Sequence, residues 1–490
     1  MSGSGTDFRA EPWHADDHFI DGAWAPSVGA GRIEVVDPAT AEVWGSVPLA
    51  APEDVDAAMR AARRAFDEGP WPRMTPGERA EVLLRFADEV EARAAELSAT
   101  NTRENGSPVA ETGGAAANAA GILRYFASLA PHLEREDVRA FPHGGGESVV
   151  RRDPVGVCAL IAPWNFPINL VVIKLAPALL AGNAVVIKPA SPTPLSIRHI
   201  VEAARAAGVP AGVVNLITGN GATGDAMVRH PLVDKVAFTG STEVGRRIAA
   251  ACGELLRPVT LELGGKSAAI LLDDVDLDAF AAVFLRSCMR NSGQTCYIST
   301  RILAPRSRYE EIVDRIAGLV AASPQGDPFD PATVFGPVAN GSQYESVREH
   351  LESARAEGAR FATGGHPLPG PGFFIAPAVL ADVTPGMRVA REEIFGPVVT
   401  IQPYSDVEEA IGIANDTPFG LGGIVFSADE ERAFEVAERV DSGSVGINFF
   451  ASNHAAPFGG RHDSGLGVEY GIEGLEQYVS FKSIHRRPRR

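Results

Sequence analysis

Between Val155 and Ser241 the chain alternates apolar strand-like runs with helical stretches, and this alternation limits the choice of fold more than any other feature. The strand-like runs are GVCALIAPWN, AVVIKPA, VVNLITG and KVAFTGS, with helices predicted at Asn169–Leu180 and Leu195–Ala207. Strands that alternate with helices form βαβ units, and these build a parallel, doubly wound sheet. The sequence therefore predicts an α/β fold whose ligand site lies outside the carboxyl ends of the strands.

The alternation resumes after Glu262 and predicts a second α/β domain. The strand-like runs LELGGKSAAILL and STRILAP flank a helix predicted at Leu277–Arg290, and further helices are predicted at Tyr309–Val320 and Ser346–Glu357. Two short patterns predict helix starts. Thr75-Pro-Gly-Glu and Ser427-Ala-Asp-Glu both have the spacing of a capping box, in which the two polar side chains satisfy free backbone N–H groups.

The segment His132–Pro154 interrupts this organisation. It is polar, carries charges and contains three consecutive glycines. This composition fits either a flexible linker or an exposed pair of strands. We favour a protruding hairpin that pairs with another subunit, because an exposed strand edge is commonly covered by a partner.

The charge balance excludes some classes of partner. The formal net charge is −18 and the pI is about 5.1, which argues against nucleic acid or an anionic membrane surface. Polar residues and prolines interrupt the apolar region Val155–Lys188, so no run there reaches the roughly 20 apolar residues of a membrane span. The four cysteines lack metal-ligand spacing, so we expect no metal site and a reducing, cytoplasmic location. The N-terminal stretch MSGSGTDFRAEPWHADD has no apolar core, so we expect no secretion signal.

The stretch NSGQTCY presents Cys296 among small and polar residues. Such a setting predicts a loop, where a small molecule can reach the thiol and the thiolate can attack a carbonyl carbon. Most free cysteines are instead small buried hydrophobic residues, and Cys296 taken alone favours that interpretation. The surrounding motifs reverse the preference, because they supply what a nucleophilic cysteine requires.

Two other side chains have settings suited to catalysis. Asn165 lies in the stiff loop PWNFP after an apolar strand, where its amide could donate to an oxyanion or satisfy its own backbone. Glu262 lies between leucines in VTLELGGKS. An acidic residue on an apolar strand is either paired structurally or has a raised pKa suited to a general base.

A phosphate site is predicted where FTGSTEVG closes one strand and opens a helix. Gly240 and Gly245, with hydroxyl groups between them, fit a helix N-terminus that binds phosphate oxygens, although an ordinary capped helix start has the same pattern. Lys188 ends an apolar strand where a ligand crevice is expected. The carboxylate of Glu393, in REEIFGP, could hold a sugar hydroxyl or be a surface charge.

These motifs occur together and in a definite order. Through PWNFP, KPAS, FTGSTEVG, LELGGKS, GQTC, EEIFGP and PFGG, the chain resembles the NAD(P)-dependent aldehyde dehydrogenase superfamily from about Phe19 to Ile484. The resemblance implies that Cys296 attacks the aldehyde and that Asn165 holds the resulting oxyanion. It further implies hydride transfer to a nicotinamide, after which Glu262 activates the water that hydrolyses the thioester.

The resemblance also implies the cofactor and substrate contacts. The implied cofactor residues are Ile161, Trp164, Lys188, Ser191, Gly240, Ser241, Gly245, Glu393 and Phe395. The implied pocket residues are Phe166, Ile173, Tyr297, Ser452 and Phe458. Lys174 matches a lysine sometimes placed in a proton relay, but Ile472 takes the place expected for the relay glutamate. Ser191 stands where NAD-preferring members often carry a glutamate, which leaves NAD and NADP both open.

We therefore predict an aldehyde dehydrogenase-like α/β protein that oxidises a small-molecule aldehyde to a carboxylic acid with NAD or NADP. The predicted parts are a Rossmann-like cofactor-binding domain (residues 1–131 and 152–262), a catalytic domain (residues 263–452) and a small β oligomerisation hairpin (residues 132–151 and 470–490). A homodimer or homotetramer is expected. The alternatives are a CoA-acylating aldehyde dehydrogenase, against which Glu262 argues, and a catalytically silent structural or binding protein on the same fold.

Overall fold

The structure, a computed structural model, describes residues 12–134 and 137–487. Most of the N-terminal stretch considered for a secretion signal, residues 1–11, lies outside these ranges. The strands of the described residues form five sheets, and the two largest position the site. None of the described helices has both the length and the apolar character to cross a bilayer.

The first sheet has eight strands, and its five parallel strands confirm the predicted doubly wound arrangement. The strand order reverses between the neighbouring strands Val157–Ile161 and Lys235–Thr239. After the first of these the chain adds strands on one side of the sheet, and after the second it adds a strand on the other side. Ligands bind at such a switch point. In spatial order the strands are Gly465–Leu466, Val259–Glu262, Lys235–Thr239, Val157–Ile161, Ala184–Lys188, Val214–Leu216, Asp17–Ile20 and Ala23–Pro26.

Helix Pro76–Ala92 begins at the predicted capping box. The hydroxyl of Thr75 accepts the N–H of Glu78 at 3.2 Å, and the Glu78 carboxylate accepts the N–H of Thr75 at 2.7 Å. The helix belongs to the same apolar core as helix Pro167–Ala181, which is buried over nearly its whole length. The other helices up to Glu262 are Pro52–Asp67, Ala94–Asn105, Val109–Thr112, Ala115–Ser128, Ala130–Glu134, Leu195–Ala206, Gly221–Arg229 and Thr242–Glu254.

The second sheet has seven strands and forms the predicted second α/β unit. All its pairs are parallel except the outermost, Arg360–Thr363 with Ala378–Ala381. In spatial order the strands are Arg360–Thr363, Ala378–Ala381, Val398–Tyr404, Arg301–Pro305, Ala268–Leu271, Gly423–Phe426 and Gly446–Ile447. The helices of this half are Leu277–Cys288, Tyr309–Ala322, Gly341–Ala356, Arg388–Arg391, Val407–Asn415 and Glu430–Ala437, whereas the late helix Gly471–Glu476 packs into the core of the first unit through Leu475.

The capping box predicted at Ser427 is wrong. Asp429 caps the helix instead, and its carboxylate accepts two backbone N–H groups at 3.1 Å. The hydroxyl of Ser427 donates to the carboxylate of Asp274 at 2.8 Å. The hydroxyl of Ser427, which the local pattern predicted to cap the helix, is therefore used in a tertiary hydrogen bond.

The three smaller sheets lie outside these two layers. One joins Trp13–His14, Glu42–Pro48 and Arg32–Asp37, and a second joins Phe419–Gly420 with Arg461–His462. In the third, the predicted hairpin is present as Asp137–Ala140 and Glu147–Pro154, and the C-terminal strand Val479–Arg486 pairs with its second strand. Both predicted oligomerisation segments therefore contribute to one sheet.

Candidate active site

Two loops meet beyond the first sheet and form the centre of the site. The side-chain amide of Asn165 donates to the backbone carbonyl of Gln294 at 3.0 Å, and the Asn291 amide donates back to the Asn165 carbonyl at 3.1 Å. Gly293 has a φ of +77°, and a Cβ there would lie 1.8 Å from the Gly396 carbonyl oxygen. Glycine is therefore required for the loop to turn so close to the neighbouring backbone.

Cys296 differs in exposure from the other cysteines. Cys158, Cys252 and Cys288 are buried, whereas Cys296 is partly exposed and lines a cavity. Burial raises the pKa of the Cys296 thiol, and the carboxylates of Glu393 and Glu262 raise it further. Without ligands the protein therefore holds this group as the thiol at neutral pH, and a proton must leave before it can act as a nucleophile.

Glu262 ends strand Val259–Glu262 with its side chain buried. Neither of its carboxylate oxygens has a hydrogen-bond partner among the described residues. Burial raises the pKa of Glu262 well above its usual value, the carboxylate of Glu469 adds to the effect, and Lys174 opposes it. Buried polar atoms normally have partners, so an unpaired carboxyl group with a raised pKa indicates a group held ready for a ligand or water.

Lys174 projects from helix Pro167–Ala181 and is fully buried. Its ammonium donates to the hydroxyl of Thr239 at 2.6 Å and forms an ion pair with the carboxylate of Glu469. The sequence analysis placed Ile472 where a relay glutamate was expected. In the structure the acidic partner of Lys174 is Glu469, three positions earlier in the chain, and Ile472 is 38% exposed.

A cavity of about 580 Å³ opens in front of Cys296. Its volume is within the range of small-molecule pockets. The five predicted pocket residues, Phe166, Ile173, Tyr297, Ser452 and Phe458, all line it, as does Asn165. The sequence analysis missed other lining residues, among them Glu111, Arg290, Phe450 and Tyr470. These lie in unremarkable sequence contexts, so only their positions in space bring them to the site.

Aromatic rings make up much of the cavity wall beside the thiol. The ring of Tyr297 stacks on that of Phe450 with centroids 4.9 Å apart, and Phe458 meets Tyr297 edge-on at 6.2 Å. His454 stacks on Tyr470 at 5.2 Å. Stacked and edge-on aromatic rings therefore form part of the cavity wall near the nucleophile.

The predicted adenosine end of the cofactor site lies at the carboxyl ends of two neighbouring strands. Ile161 and Lys188 are paired in register and end their strands next to the switch point. Burial lowers the pKa of Lys188 to about 8, and its ammonium donates to the carbonyl of Pro189 at 3.0 Å. Ser191 donates to the carbonyl of Gly219 at 3.2 Å. This crevice holds one lysine and an uncharged hydroxyl.

Helix Thr242–Glu254 begins at the same edge of the sheet. Ser241 is its N-cap and accepts the N–H of Val244 at 3.4 Å, while Gly240 donates its N–H to the Glu262 carbonyl at 3.0 Å. A Cβ at Gly245 would lie 2.5 Å from Leu263, so glycine allows the helix to pack closely against that residue. The helix N-terminus thus offers backbone N–H groups to an anion at the switch point.

The predicted nicotinamide end lies on the second unit. Glu393 accepts the N–H of Gly265 at 3.0 Å, and burial raises the pKa of its carboxyl group to about 7. The rings of Trp164 and Phe395 meet edge-on at 5.3 Å. The cofactor residues implied by the resemblance therefore include a helix N-terminus and a buried lysine at the switch-point edge of the first sheet, together with a carboxylate and a pair of aromatic rings, which are groups suited to binding a dinucleotide.

Comparison with known proteins agrees with this geometry. The model of the aldehyde dehydrogenase family matches residues 24–484. The chain belongs to the aldehyde dehydrogenase family. Geranial dehydrogenase of Castellaniella defragrans is 47% identical over 468 residues, which cover 95% of this chain and 98% of that relative. 3-Succinoylsemialdehyde-pyridine dehydrogenase of a Pseudomonas species is 40% identical over 95% of this chain and 97% of its own.

Solved structures of aldehyde dehydrogenases have the same fold. The Mycobacterium tuberculosis enzyme, complexed with NAD⁺, is 42% identical over 97% of this chain and 98% of that chain, with a TM-score of 0.94. A Pseudomonas syringae enzyme complexed with NAD⁺ and octanal is 37% identical over 99% of this chain and 98% of that chain, with a TM-score of 0.91. This aldehyde dehydrogenase therefore has the predicted fold and activity class, the oxidation of an aldehyde to an acid with NAD.

Proposed function

We propose that the enzyme oxidises uncharged, medium-sized aldehydes by a covalent hydrolytic mechanism in which Cys296 is the nucleophile. The thiol first gives up its proton to solvent; the thiolate sulfur then forms a bond to the carbonyl carbon, and the π electrons of the C=O move to oxygen. The side-chain N–H of Asn165 and the backbone N–H of Cys296 hold this oxyanion. Among the described residues Asn165 donates to one carbonyl only, which leaves its second N–H for the substrate.

NAD supplies the hydride acceptor when it is bound. The residues that would hold it are Lys188 and Ser241 at the adenosine and pyrophosphate end, and Trp164, Glu393 and Phe395 at the nicotinamide end. Collapse of the oxyanion restores the C=O bond as hydride leaves carbon, and the product on Cys296 is a thioester. This step oxidises the aldehyde carbon to the level of an acid.

The observation that carries the hydrolytic half-reaction is the unpaired carboxyl group of Glu262. Once ionised, it takes a proton from water, whose oxygen attacks the thioester as the carbon–sulfur bond breaks. Lys174 and Glu469 both influence Glu262 electrostatically, and the carboxylate of Glu469, which accepts from the Lys174 ammonium, is a group to which the proton can pass. The products are the free acid and a regenerated Cys296. A CoA-acylating enzyme would need no such base.

The cavity supports an apolar substrate of medium size. Aromatic and aliphatic side chains, among them Phe166, Ile173 and Phe458, line the cavity together with polar residues. Of two similar proteins, one is named geranial dehydrogenase and the other is complexed with octanal, and both of these aldehydes are apolar and of this size. A panel of straight-chain, branched and unsaturated aldehydes, compared by kcat/KM, tests this proposal.

We also propose that NADP is accepted alongside NAD. The hydroxyl of Ser191 stands where a carboxylate would repel a 2′-phosphate, and serine carries no charge to do so. Ser191→Glu should raise KM for NADP by about tenfold or more while KM for NAD changes little. The proposal fails if the unaltered enzyme already rejects NADP as strongly as the variant.

The assembly and location follow as separate proposals. The third small sheet presents the edge strand Val479–Arg486, which supports a homodimer or homotetramer. The four cysteines are unpaired thiols, which supports a reducing location such as the cytoplasm.

Glu262→Gln separates hydrolysis from acyl transfer. The variant should still give a first-turnover burst of NADH, because hydride transfer precedes hydrolysis, and its steady-state rate should fall as the thioester accumulates. Mass spectrometry of the quenched variant should find the acyl group on Cys296. If the burst disappears together with the steady state, Glu262 instead removes the proton of the thiol, whose pKa is raised in the free enzyme. Addition of CoA to the native enzyme should leave the free acid as the product.

A further inference from the structure

One wall of the aldehyde cavity contains an ion pair that the proposed catalytic steps do not use. The guanidinium of Arg290 donates from Nε to the carboxylate of Glu111 at 2.9 Å. Both side chains line the cavity, and both are only partly exposed, at 26% and 28%. The pair therefore lies where a substrate tail would pass, in surroundings that screen charge less than bulk water does.

Arg290 is held in place by more than its ion pair. Its Nη1 donates to the hydroxyl of Tyr297 at 2.7 Å, and its guanidinium carbon lies 5.0 Å from the ring centre of Phe166. The latter distance is that of a cation–π contact. Arg290 therefore connects the nucleophile loop, the loop of Asn165 and the short helix of Glu111, and its charge has a fixed position in the wall.

The other charged groups that line the cavity do not neutralise this pair or compete with it. Glu469 is bound to Lys174 on the inner side, and Arg286 is an exposed residue of helix Leu277–Cys288. Within the wall, the positive charge of Arg290 and the negative charge of Glu111 thus compensate each other. A compensated pair attracts neither a carboxylate nor a cation, whereas either member alone would attract the opposite charge strongly at this depth.

We propose that the Glu111–Arg290 pair selects uncharged aldehydes by masking two latent charge sites in the same wall. Glu111 prevents Arg290 from binding a substrate carboxylate, and Arg290 prevents Glu111 from binding a substrate cation. This inference rests on the proposed position of the aldehyde in this cavity. It assigns to the pair a role in specificity, with no part in bond making or breaking.

Two variants with opposite outcomes test the proposal. Glu111→Gln exposes the arginine and should raise the kcat/KM of ω-carboxy aldehydes, relative to their uncharged parent aldehydes, by about tenfold. Arg290→Met exposes the carboxylate and should instead raise the relative kcat/KM of trimethylammonium aldehydes by a similar factor. Each gain should appear mainly in KM, because a tail contact binds the ground state and the transition state alike, and each should shrink at high salt.

Matched controls separate local masking from a change of net charge. Glu310→Gln and Arg360→Met break an exposed ion pair on the second sheet and should leave both ratios unchanged. Arg290→Met combined with Glu111→Gln should abolish the gain for carboxylates. Arg286→Met combined with Glu111→Gln should retain it, because within the described part of the chain no hydrogen bond or ion pair joins Arg286 to Glu111 or Arg290.

The results can overturn the inference without touching the proposed mechanism. If both variants lose activity toward all aldehydes in proportion, the pair only supports the wall, and charge selection is wrong. If both keep native ratios and native activity, the substrate tail does not pass this wall. The proposed mechanism has its own readout, the acyl adduct on Cys296 in the Glu262→Gln enzyme.

Discussion

At the scale of single residues, Asn165 joins the two halves of the site. Its amide donates to the loop of the nucleophile and its carbonyl accepts from Asn291. Asn165→Ala should lower kcat by about 10²–10³, the usual effect of removing one oxyanion donor. Single-turnover measurement of NADH formation checks this, because the loss should fall on hydride transfer. An unchanged single-turnover rate would contradict the assignment.

The raised pKa of Glu262 predicts how the rate depends on pH. A general base acts only when it has lost its proton, so the deacylation rate should rise with pH as Glu262 ionises. Lys174 lowers this pKa, in opposition to burial and Glu469. Lys174→Met should therefore move the rise to higher pH, whereas Glu469→Gln, which removes a neighbouring negative charge, should move it to lower pH. The measurement is kcat as a function of pH, for a substrate whose deacylation limits turnover. If the profiles of both variants coincide with that of the native enzyme, the coupling of Glu262 to Lys174 and Glu469 is contradicted.

Single residues were predictable where a motif surrounds them and missed where none does. Cys296 and Asn165 lie in loops and Glu262 lies at a strand end, and the local composition distinguishes all three from their neighbours. Glu469 lies between Val468 and Tyr470, an acidic residue in an apolar run like Glu262, and the same signal could have found it. Arg290 gave no such signal, since two of its partners, Glu111 and Phe166, come from distant parts of the chain.

At the scale of elements, helix Leu195–Ala206 takes its cap from a different helix. Glu104 is fully buried, and its carboxylate accepts the N–H groups of Leu195 and Ser196 at 2.7 and 3.0 Å. Glu104→Leu would leave both donors buried without a partner and should lower the free energy of unfolding by about 2 kcal/mol. Glu104→Gln keeps one acceptor, so its loss should be smaller. Chemical denaturation of the three proteins checks the order, and equal stability of the two variants would contradict capping.

Helix starts show why local patterns succeed or fail. At Thr75 the capping box needs only residues of its own turn, and the structure contains it as predicted. At Ser427 a distant carboxylate, Asp274, binds the hydroxyl, and the next good acceptor in sequence, Asp429, caps the helix. The difference lies in a tertiary contact, which a pattern of four residues does not contain.

At the scale of the whole molecule, the third small sheet leaves apolar side chains in solvent. Phe481 and Ile484 on strand Val479–Arg486 are 59% and 41% exposed. Substitution of both by Glu should place charge in the proposed subunit contact and reduce the mass measured by light scattering. Phe434→Glu, at a similarly exposed phenylalanine elsewhere, is the control and should keep the native mass. A double variant with the native mass would contradict this interface.

The large sheets were predictable because long alternating patterns specify them. The strands Val157–Ile161, Ala184–Lys188 and Lys235–Thr239 are buried throughout and mostly apolar, as expected for strands covered on both faces. Strand Gly465–Leu466 has only two residues, and its partner lies in a distant part of the chain. No sequence period can identify such a pairing.

That short strand has a consequence for how the protein is made. Gly465 pairs with Glu262, the N–H of Leu263 donates to the carbonyl of Ser464 at 2.9 Å, and the Ser464 hydroxyl donates to the carbonyl of Gly264 at 2.6 Å. Domains fold on the ribosome as they emerge, N-terminal parts first. Here the strand that carries Glu262 emerges long before the segment that completes its sheet edge. The nascent chain therefore presents that edge uncovered until residues 464–466 have been translated, and an mRNA cut short before the codon of Ser464 would direct synthesis of a chain in which the strand of Glu262 lacks this neighbour.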